Sequence, residues 1–347
     1  MKNQKFTNLF MLFMLAVAVV AGCTKEGPQG PPGEPGQDAA TTCTDCHDDS
    51  QMIEAGQLQW QASVHATGGN FERNTTSCAP CHTSKGFLEV IETGNMETAN
   101  TIDNPLPINC YTCHNIHETY TQEDWSLTTS EPVELWLNGV TTDQGSGNLC
   151  VNCHQPRVVD PFPDAENLDG NFEVTNARFG PHYGTEGALI AGTGGFEVGS
   201  DYNPEHAHGN IDNTCVACHM ADAFGDQAGG HTMSMTYMFQ GQTQLNIGGC
   251  TNINCHGDGE DIAEKVEEEN AEFEEGMAQL RSLLEAEGIY NTESGLANTG
   301  TYSNRVAGAF YNYKFLSGDG SMGLHNYNYA KALLENSIES LSTLAAR

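Results

Sequence analysis

The pattern of hydrophobic and polar positions changes near residue 260 of this 347-residue chain. From Cys43 to Gly259 sustained helical periodicity is scarce, and frequent Gly, Asn, Thr, Asp and Pro residues predict loops and short helices. After Asp261 the apolar residues recur with a helical period and predict three long helices. Their apolar positions are Ile262, Val266, Phe273, Met277, Leu280 and Leu284, then Val306, Phe310, Tyr313 and Leu316, then Ala330, Leu333, Leu334, Ile338, Leu341 and Leu344. The chain is therefore predicted to be mainly α with extensive irregular loops and long C-terminal helices.

The first 22 residues have the layout of a secretory signal peptide. Lys2 and Lys5 give a positive start, and residues 9–21 form an apolar run that is too short to span a membrane. The sequence VAGC then ends at Cys23 and resembles a bacterial lipobox, which predicts cleavage before Cys23 and acylation of its thiol. The alternative is an ordinary signal peptide followed by a chance cysteine.

Residues 27–38 read GPQGPPGEPGQD, four Gly-x-y triplets in a row. Four triplets are too few for a stable collagen trimer, so we expect a stiff, extended spacer, with trimerisation as the alternative. The chain thus divides into a signal peptide (1–22), a lipidated cysteine with its Gly/Pro-rich spacer (23–42), a domain that carries the cysteine motifs (43–260) and a C-terminal helical region (261–347).

The formal net charge of the chain is −33. The electrostatic field of such a negatively charged protein argues against nucleic acid or an anionic lipid surface as a partner. It favours basic proteins and metal ions, although the solubility of an exported protein is a sufficient reason for much of this charge.

The chain contains thirteen cysteines and thirteen histidines, and most of them occur in one repeated arrangement. Apart from Cys23 the cysteines form six pairs, and an oxidising compartment would allow disulfides. A histidine directly follows the second cysteine of every pair, however, which is the signature of covalent haem c attachment. A zinc site would leave that adjacent histidine unexplained. The five regular Cys-x-x-Cys-His segments are Cys43/Cys46/His47, Cys78/Cys81/His82, Cys110/Cys113/His114, Cys150/Cys153/His154 and Cys215/Cys218/His219.

The sixth segment, GCTNINCH, has a longer loop between its cysteines. Cys250 and Cys255 are separated by four residues, and His256 follows directly. The extra residues can bulge outward while both thiols still reach the vinyl groups of one haem. We therefore predict a sixth haem here, with a disulfide beside a bystander histidine as the alternative.

Seven histidines remain after the six motif histidines are set aside. Six haems with histidine on both faces need six further ligands, which leaves one spare. We predict His65, His117, His182, His208, His231 and His325 as the distal ligands, with His206 as the spare. Because His117 follows His114 so closely, it is expected to reach a neighbouring haem. Met220, Met233 and Met235 are alternative thioether ligands.

Several segments resemble the multihaem c-type cytochromes related to cytochrome c nitrite reductase. Besides the haem motifs these are WQASVHATGG, FGPHYGTEGALIAGTGG, CVACHM, GGHTM and SMGLHNYNYAKALLENS. The resemblance implies distal ligation by His65, His182, His231 and His325, and C-terminal helices that often pack between subunits. The Cys-x-x-Cys-Lys active-site motif of the nitrite reductases does not occur in this sequence, which argues against nitrite reduction.

Histidine on both faces of each iron gives low-spin, low-potential centres that suit electron transfer. The lipobox and spacer resemble those of cell-surface cytochromes. We therefore expect an outer-membrane lipoprotein with six haem c groups, facing the cell surface or the periplasm, that serves redox partner proteins or an extracellular electron acceptor. One alternative is a reductase of nitrite, hydroxylamine or a sulfur oxyanion, with Arg157, Arg178, Tyr183 or Arg305 near the substrate. Another is a subunit that forms homo-oligomers or haem-filled filaments.

Overall fold

Short helices, loops and short strands make up the described chain from residue 52 to residue 252. The computed structural model describes His47, residues 52–252, His256 and residues 259–345, so the signal peptide, Cys23 and the spacer lie outside the described residues. The short helices are α1 (Met52–Ala62), α2 (Val64–Thr67), α3 (Ala79–His82), α4 (Ser84–Thr93), α5 (Cys110–Cys113), α6 (Asn148–Val151), α7 (Glu186–Ile190), α8 (Thr214–His219) and α9 (Gly248–Asn252). Single 3-10 turns lie at Asn70–Glu72, Gln122–Trp125, Gly145–Gly147, His208–Asn210 and Gly230–Thr232. The prediction of short helices and loops in this region is confirmed.

Three long helices follow, as the apolar periodicity predicts. They are α10 (Gly259–Ala286), α11 (Asn304–Asp319) and α12 (Tyr327–Ala345). The hydroxyl of Ser303 caps α11 by accepting from the backbone N–H of Val306, and Gly320 ends it in the left-handed conformation at φ 69°. The predicted apolar positions Leu280, Phe310 and Leu333 are fully buried. The mainly α fold is therefore confirmed.

Three antiparallel strand pairs complete the described fold. They are β1 (Val133–Glu134) with β2 (Thr141–Thr142), β3 (Asn171–Val174) with β6 (Gly300–Ser303), and β4 (Thr236–Phe239) with β5 (Gln242–Leu245). In the second pair Asn171 lies opposite Ser303, which ties the middle of the chain to the start of α11. This pairing positions the C-terminal helices against residues 133–198.

The side-chain core is built from two separate stretches of the sequence. Its buried cluster comes from residues 133–198 and 273–341. Among the described residues outside these ranges, few apolar side chains are buried, namely Ala79, Phe87, Val90, Ile102, Ala228 and Ile262. All described residues belong to one compact unit, 46–347. Within the described part of the chain, no helix combines the length and apolar character needed to cross a bilayer.

A glycine in α11 allows close packing of the core. A Cβ added to Gly308 would lie 2.1 Å from the Cδ1 atom of Phe196, whose ring is buried. We expect Gly308→Ala to destabilise the protein by about 1–3 kcal/mol, because the overpacking outweighs the better helix propensity of alanine. Gly318→Ala, in the same helix, is the control, since its Cβ would meet Thr185 at an ordinary 3.5 Å. Thermal unfolding of the two variants measures the difference, and equal unfolding temperatures would contradict the packing argument.

Candidate haem centres

The regular cysteine motifs are built on short helices. Helices α3, α5, α6 and α8 each include part or all of one Cys-x-x-Cys-His segment. Cysteines three apart on a helix lie on the same face, so both thiols point to one side with the histidine at the helix end. Of the first motif only His47 is described, and Cys43 and Cys46 lie outside the described residues, as does Cys255.

The cysteines that the structure describes are free thiols. They are Cys78, Cys81, Cys110, Cys113, Cys150, Cys153, Cys215, Cys218 and Cys250. Burial raises the pKa of Cys113 and of Cys218 to about 11, and a neighbouring cysteine charge adds to both shifts. Since these cysteines form no disulfides with one another, their thiols are available for attachment to another group.

Each of the six motif histidines faces one of the seven remaining histidines. The ring centroids are 6.3 Å apart for His47–His117, 6.1 Å for His65–His154, 6.1 Å for His82–His182, 6.2 Å for His114–His231, 6.4 Å for His208–His256 and 6.2 Å for His219–His325. Metal–imidazole bonds are about 2 Å long, so two rings bound to opposite sides of one metal have centroids about 6 Å apart. All six pairs therefore fit one iron between the rings. His117 pairs with His47 of another motif and not with His114.

His206 differs from the paired histidines in the use of its ring nitrogens. Its Nε2–H donates to the carbonyl oxygen of Ile190 at 2.8 Å, and its Nδ1 accepts from the backbone N–H of Gly209 at 3.3 Å. Both nitrogens are thus engaged within the protein. His208 instead donates through Nδ1 to the carbonyl of Leu324 at 2.9 Å and turns its ring toward His256. The geometry therefore places His208, and not His206, opposite a motif histidine.

The same use of Nδ1 recurs in other pairs. The Nδ1–H groups of His114, His182 and His219 donate to the carbonyl oxygens of Trp125, Tyr183 and Met233, at 2.8, 2.9 and 2.9 Å. A hydrogen bond from Nδ1 fixes the ring tautomer and leaves Nε2 with a free lone pair. Metal-binding histidines in proteins are oriented in this way.

Two pairs have a carboxylate in place of the carbonyl. Nδ1 of His325 lies 2.6 Å from Oδ1 of Asp319, and Nδ1 of His154 lies 3.5 Å from Oε2 of Glu186. Burial has the largest single effect and lowers the pKa of His325 and of His154, but the carboxylate and smaller contributions from neighbouring groups together leave each pKa above its usual value. The carboxylate of Asp319 accepts a stronger, charge-assisted hydrogen bond from Nδ1 of His325 than a carbonyl would.

Other paired rings are held neutral. Burial lowers the pKa of His65 to about 4, with a smaller contribution from the charge of His154. Burial also lowers the pKa of His82 to about 4, with smaller contributions from the charges of His182, Arg73 and Arg157. A neutral ring has the lone pair that a metal needs, so these histidines are ready to bind one at neutral pH.

Met233 lies between two of the pairs. Its sulfur is 3.0 Å from Nδ1 of His65, and its carbonyl oxygen accepts from Nδ1 of His219. The thioether therefore contacts a histidine ring at its Nδ1 edge and does not take the place of a ring in the pair His65–His154. Met233 adopts a left-handed backbone conformation with φ 56°. In this conformation its sulfur contacts His65 while its carbonyl oxygen accepts from His219.

Contacts between motifs place the pairs side by side. The thiol of Cys81 lies 4.0 Å from the carbonyl oxygen of Asn152, and the thiol of Cys153 lies 3.8 Å from that of Pro80. The thiol of Cys215 lies 3.9 Å from the carbonyl oxygen of Gly147, just before the fourth motif. The second, fourth and fifth motifs therefore form a continuous row. A Cβ added to Gly249 would lie 2.8 Å from Cα of Cys218, so α9 and the sixth motif extend this row beyond α8.

The ring pairs are not cages for a bare metal ion. In the described ranges no group of three or more His, Cys, Asp or Glu side chains converges on one point. Each pair supplies two axial nitrogens, and a porphyrin brings four equatorial nitrogens of its own. With the neighbouring thiols, this donor set fits haem c.

Comparisons with known proteins agree with the fold. No protein-family model matches the sequence, and no curated protein matches it. Among solved structures the chain is similar to an outer cell wall cytochrome, OcwA, with a TM-score of 0.51 and 18% sequence identity. The similarity covers 82% of this chain and 49% of that cytochrome, so the chain spans about half the length of OcwA. The chain therefore has the fold of part of a multihaem cytochrome.

The two carboxylates beside the histidine rings were not predicted from the sequence. Asp319 is the last residue of α11, directly before the Gly-rich turn, and Glu186 follows His182 by four residues. No spacing rule marks either residue, because Glu186 contacts His154 and not its neighbour His182. In the segment GDGSMGLH, Asp319 lies shortly before the predicted distal ligand His325. This closeness in sequence is the one local feature from which Asp319 could have been found.

Proposed function

We propose that this chain is a hexahaem c-type cytochrome that transfers electrons. The single observation that carries the proposal is the set of six histidine ring pairs, each 6.1–6.4 Å between centroids and each containing one motif histidine. Once bound, each haem supplies an iron that gains and loses one electron. The axial ligands are His47 with His117, His82 with His182, His114 with His231, His154 with His65, His219 with His325, and His256 with His208. The cysteines of the six motifs hold the haems as thioethers.

Electron transfer is favoured over reductase chemistry by the second histidine of each pair. A ring on each side closes the position at which a substrate would bind. One of the arginine candidates, Arg305, also gives little support to an anion site. Arg305 donates to Asp169 at 3.1 Å and to the Ser340 hydroxyl at 2.9 Å, so its guanidinium is engaged within the protein.

A row of touching motifs supports transfer across the molecule. The thiols of Cys81, Cys153 and Cys215 contact backbone carbonyls in or next to the neighbouring motif, and α9, which carries Cys250, packs against Cys218. The side chains of these motifs hold the centres close together, which is what rapid transfer requires.

We further propose that lipid on Cys23 anchors the protein to the outer membrane, facing the cell surface. The lipobox-like sequence and the spacer support this proposal, as does the name of the similar cytochrome, which places that protein in an outer cell wall. The redox partner is then a basic protein or an extracellular acceptor, because the chain is strongly acidic.

Two measurements on the purified protein test the proposal. Intact mass should correspond to six haems plus the lipid, and the electron paramagnetic resonance (EPR) spectrum of the oxidised protein should contain only low-spin ferric signals. The physical reason is that two imidazoles give a strong ligand field at each iron.

A high-spin signal that integrates to one haem would instead favour the reductase. A mass with fewer than six haems would contradict the hexahaem assignment, and electron micrographs would separate single molecules from filaments.

A further inference from the structure

Among the described residues, Asp319 is the acidic side chain that makes a short hydrogen bond to the ring of a paired histidine, whereas Asp124 accepts from the backbone N–H of His117. Its Oδ1 lies 2.6 Å from Nδ1 of His325, and its side chain is 0% exposed. The corresponding groups at His114, His182, His208 and His219 are neutral backbone carbonyls at 2.8–2.9 Å. Glu186 is also a carboxylate, but it lies 3.5 Å from His154 and is partly exposed.

The carboxylate of Asp319 is fixed in this position. Its Oδ2 accepts from the backbone N–H of Ser321 at 3.2 Å and from the Ser321 hydroxyl. The backbone turns sharply at Gly320, which brings Ser321 and His325 to the same carboxylate. The hydroxyl of Ser321 in turn accepts from the backbone N–H of His325 at 3.3 Å. A buried negative charge held in this way acts strongly on its neighbour, because little water screens it.

We propose that Asp319 is a positioning residue that gives the centre between His219 and His325 the lowest midpoint potential of the six. The inference rests on the proposed haem-binding function. A carboxylate that accepts the Nδ1 proton pushes electron density onto Nε2, and a more electron-rich ligand stabilises ferric over ferrous iron.

The carboxylates near the other pairs are placed differently. Glu186 lies 3.5 Å from Nδ1 of His154 and is partly exposed, and Asp124 accepts at 2.8 Å from the backbone N–H of His117 and not from its ring. The buried carboxylate in direct contact with a ring therefore makes the centre at His325 the most reducing.

The first test replaces Asp319 with asparagine in the holoprotein. Asp319→Asn keeps the size of the side chain and an acceptor oxygen and removes the charge. We expect the lowest potential in a spectroelectrochemical titration to move upward, while the other five stay in place. The EPR g values of that one centre should change with it. Glu335→Gln is the charge-matched control, since Glu335 is an exposed residue of α12, and it should leave all six potentials unchanged.

A second variant identifies the centre independently of how well Asp319→Asn folds. His325→Ala removes the distal ligand, so the component that becomes high-spin is the centre at His325. If that component is not the one of lowest potential in the unmodified protein, the proposal is wrong. It is equally wrong if Asp319→Asn retains six low-spin haems and shifts no potential. Fewer haems or a high-spin centre in the unmodified protein would instead refute the proposed function on which it rests.

Discussion

Replacing both Cys250 and Cys255 with serine should remove one of six covalent haems from the protein. The sixth motif would then supply no thiol to the haem between His208 and His256, whose rings lie 6.4 Å apart, so this haem would be held only by the two histidines. Such a haem is lost on denaturation, and the intact mass of the denatured protein should fall by the mass of one haem. The single variant Cys250→Ser is the control, because one thioether to Cys255 is enough to retain the group.

The double variant also decides between the two interpretations of the longer loop. If Cys250 and Cys255 form a disulfide, the unmodified protein contains five haems, and the double variant has the same haem count. An unchanged count would therefore refute the sixth centre and leave the other five assignments intact.

Replacing His208 with alanine should convert one low-spin centre to high spin. His208 faces His256, and no other described histidine ring lies as close to His256 with a free nitrogen, since both nitrogens of His206 are hydrogen-bonded. A ferric iron that loses one imidazole binds water or nothing in its place, and its ligand field weakens. The high-spin ferric EPR signal should integrate to about one haem.

His206→Ala is the matched control for this experiment. The two histidines lie in the same PEHAHGN segment, two residues apart, and their rings are in edge contact at 6.3 Å. His206→Ala removes the hydrogen bond to Ile190 and should leave every centre low-spin. If His206→Ala yields the high-spin signal and His208→Ala does not, the distal ligand is assigned to the wrong histidine.

The long helices could be predicted because their apolar faces are local features of the sequence. Phe273, Leu280, Phe310 and Leu333 recur with a helical period, and all four are buried in the core. The strand pair β3–β6 could not be predicted in this way. β3 does alternate exposed polar and buried apolar residues, but four residues are a short signal, and no local feature links them to β6, because Asn171 and Ser303 are far apart in the sequence.

In the candidate site, too, the local features could be predicted and the long-range contacts could not. The cysteine motifs are local, so their positions could be predicted from spacing alone. The partner of each motif histidine depends on tertiary structure, which brings His65 to His154 and His114 to His231 across long stretches of chain. The distinction between His206 and His208 depends on single hydrogen bonds to Ile190 and Leu324, which no spacing rule contains.

The histidine pairs also have a consequence for the stability of the chain. Each proposed centre joins a motif to a histidine far away in sequence, as His82 is joined to His182, and so acts as a cross-link that closes a long loop. A cross-link of this kind restricts the unfolded chain, and the restriction grows with the length of the loop. The loops closed by the six pairs overlap along the chain, so the haems would hold together the region in which few apolar side chains are buried. In this protein the haems that transfer electrons would thus also stabilise the fold.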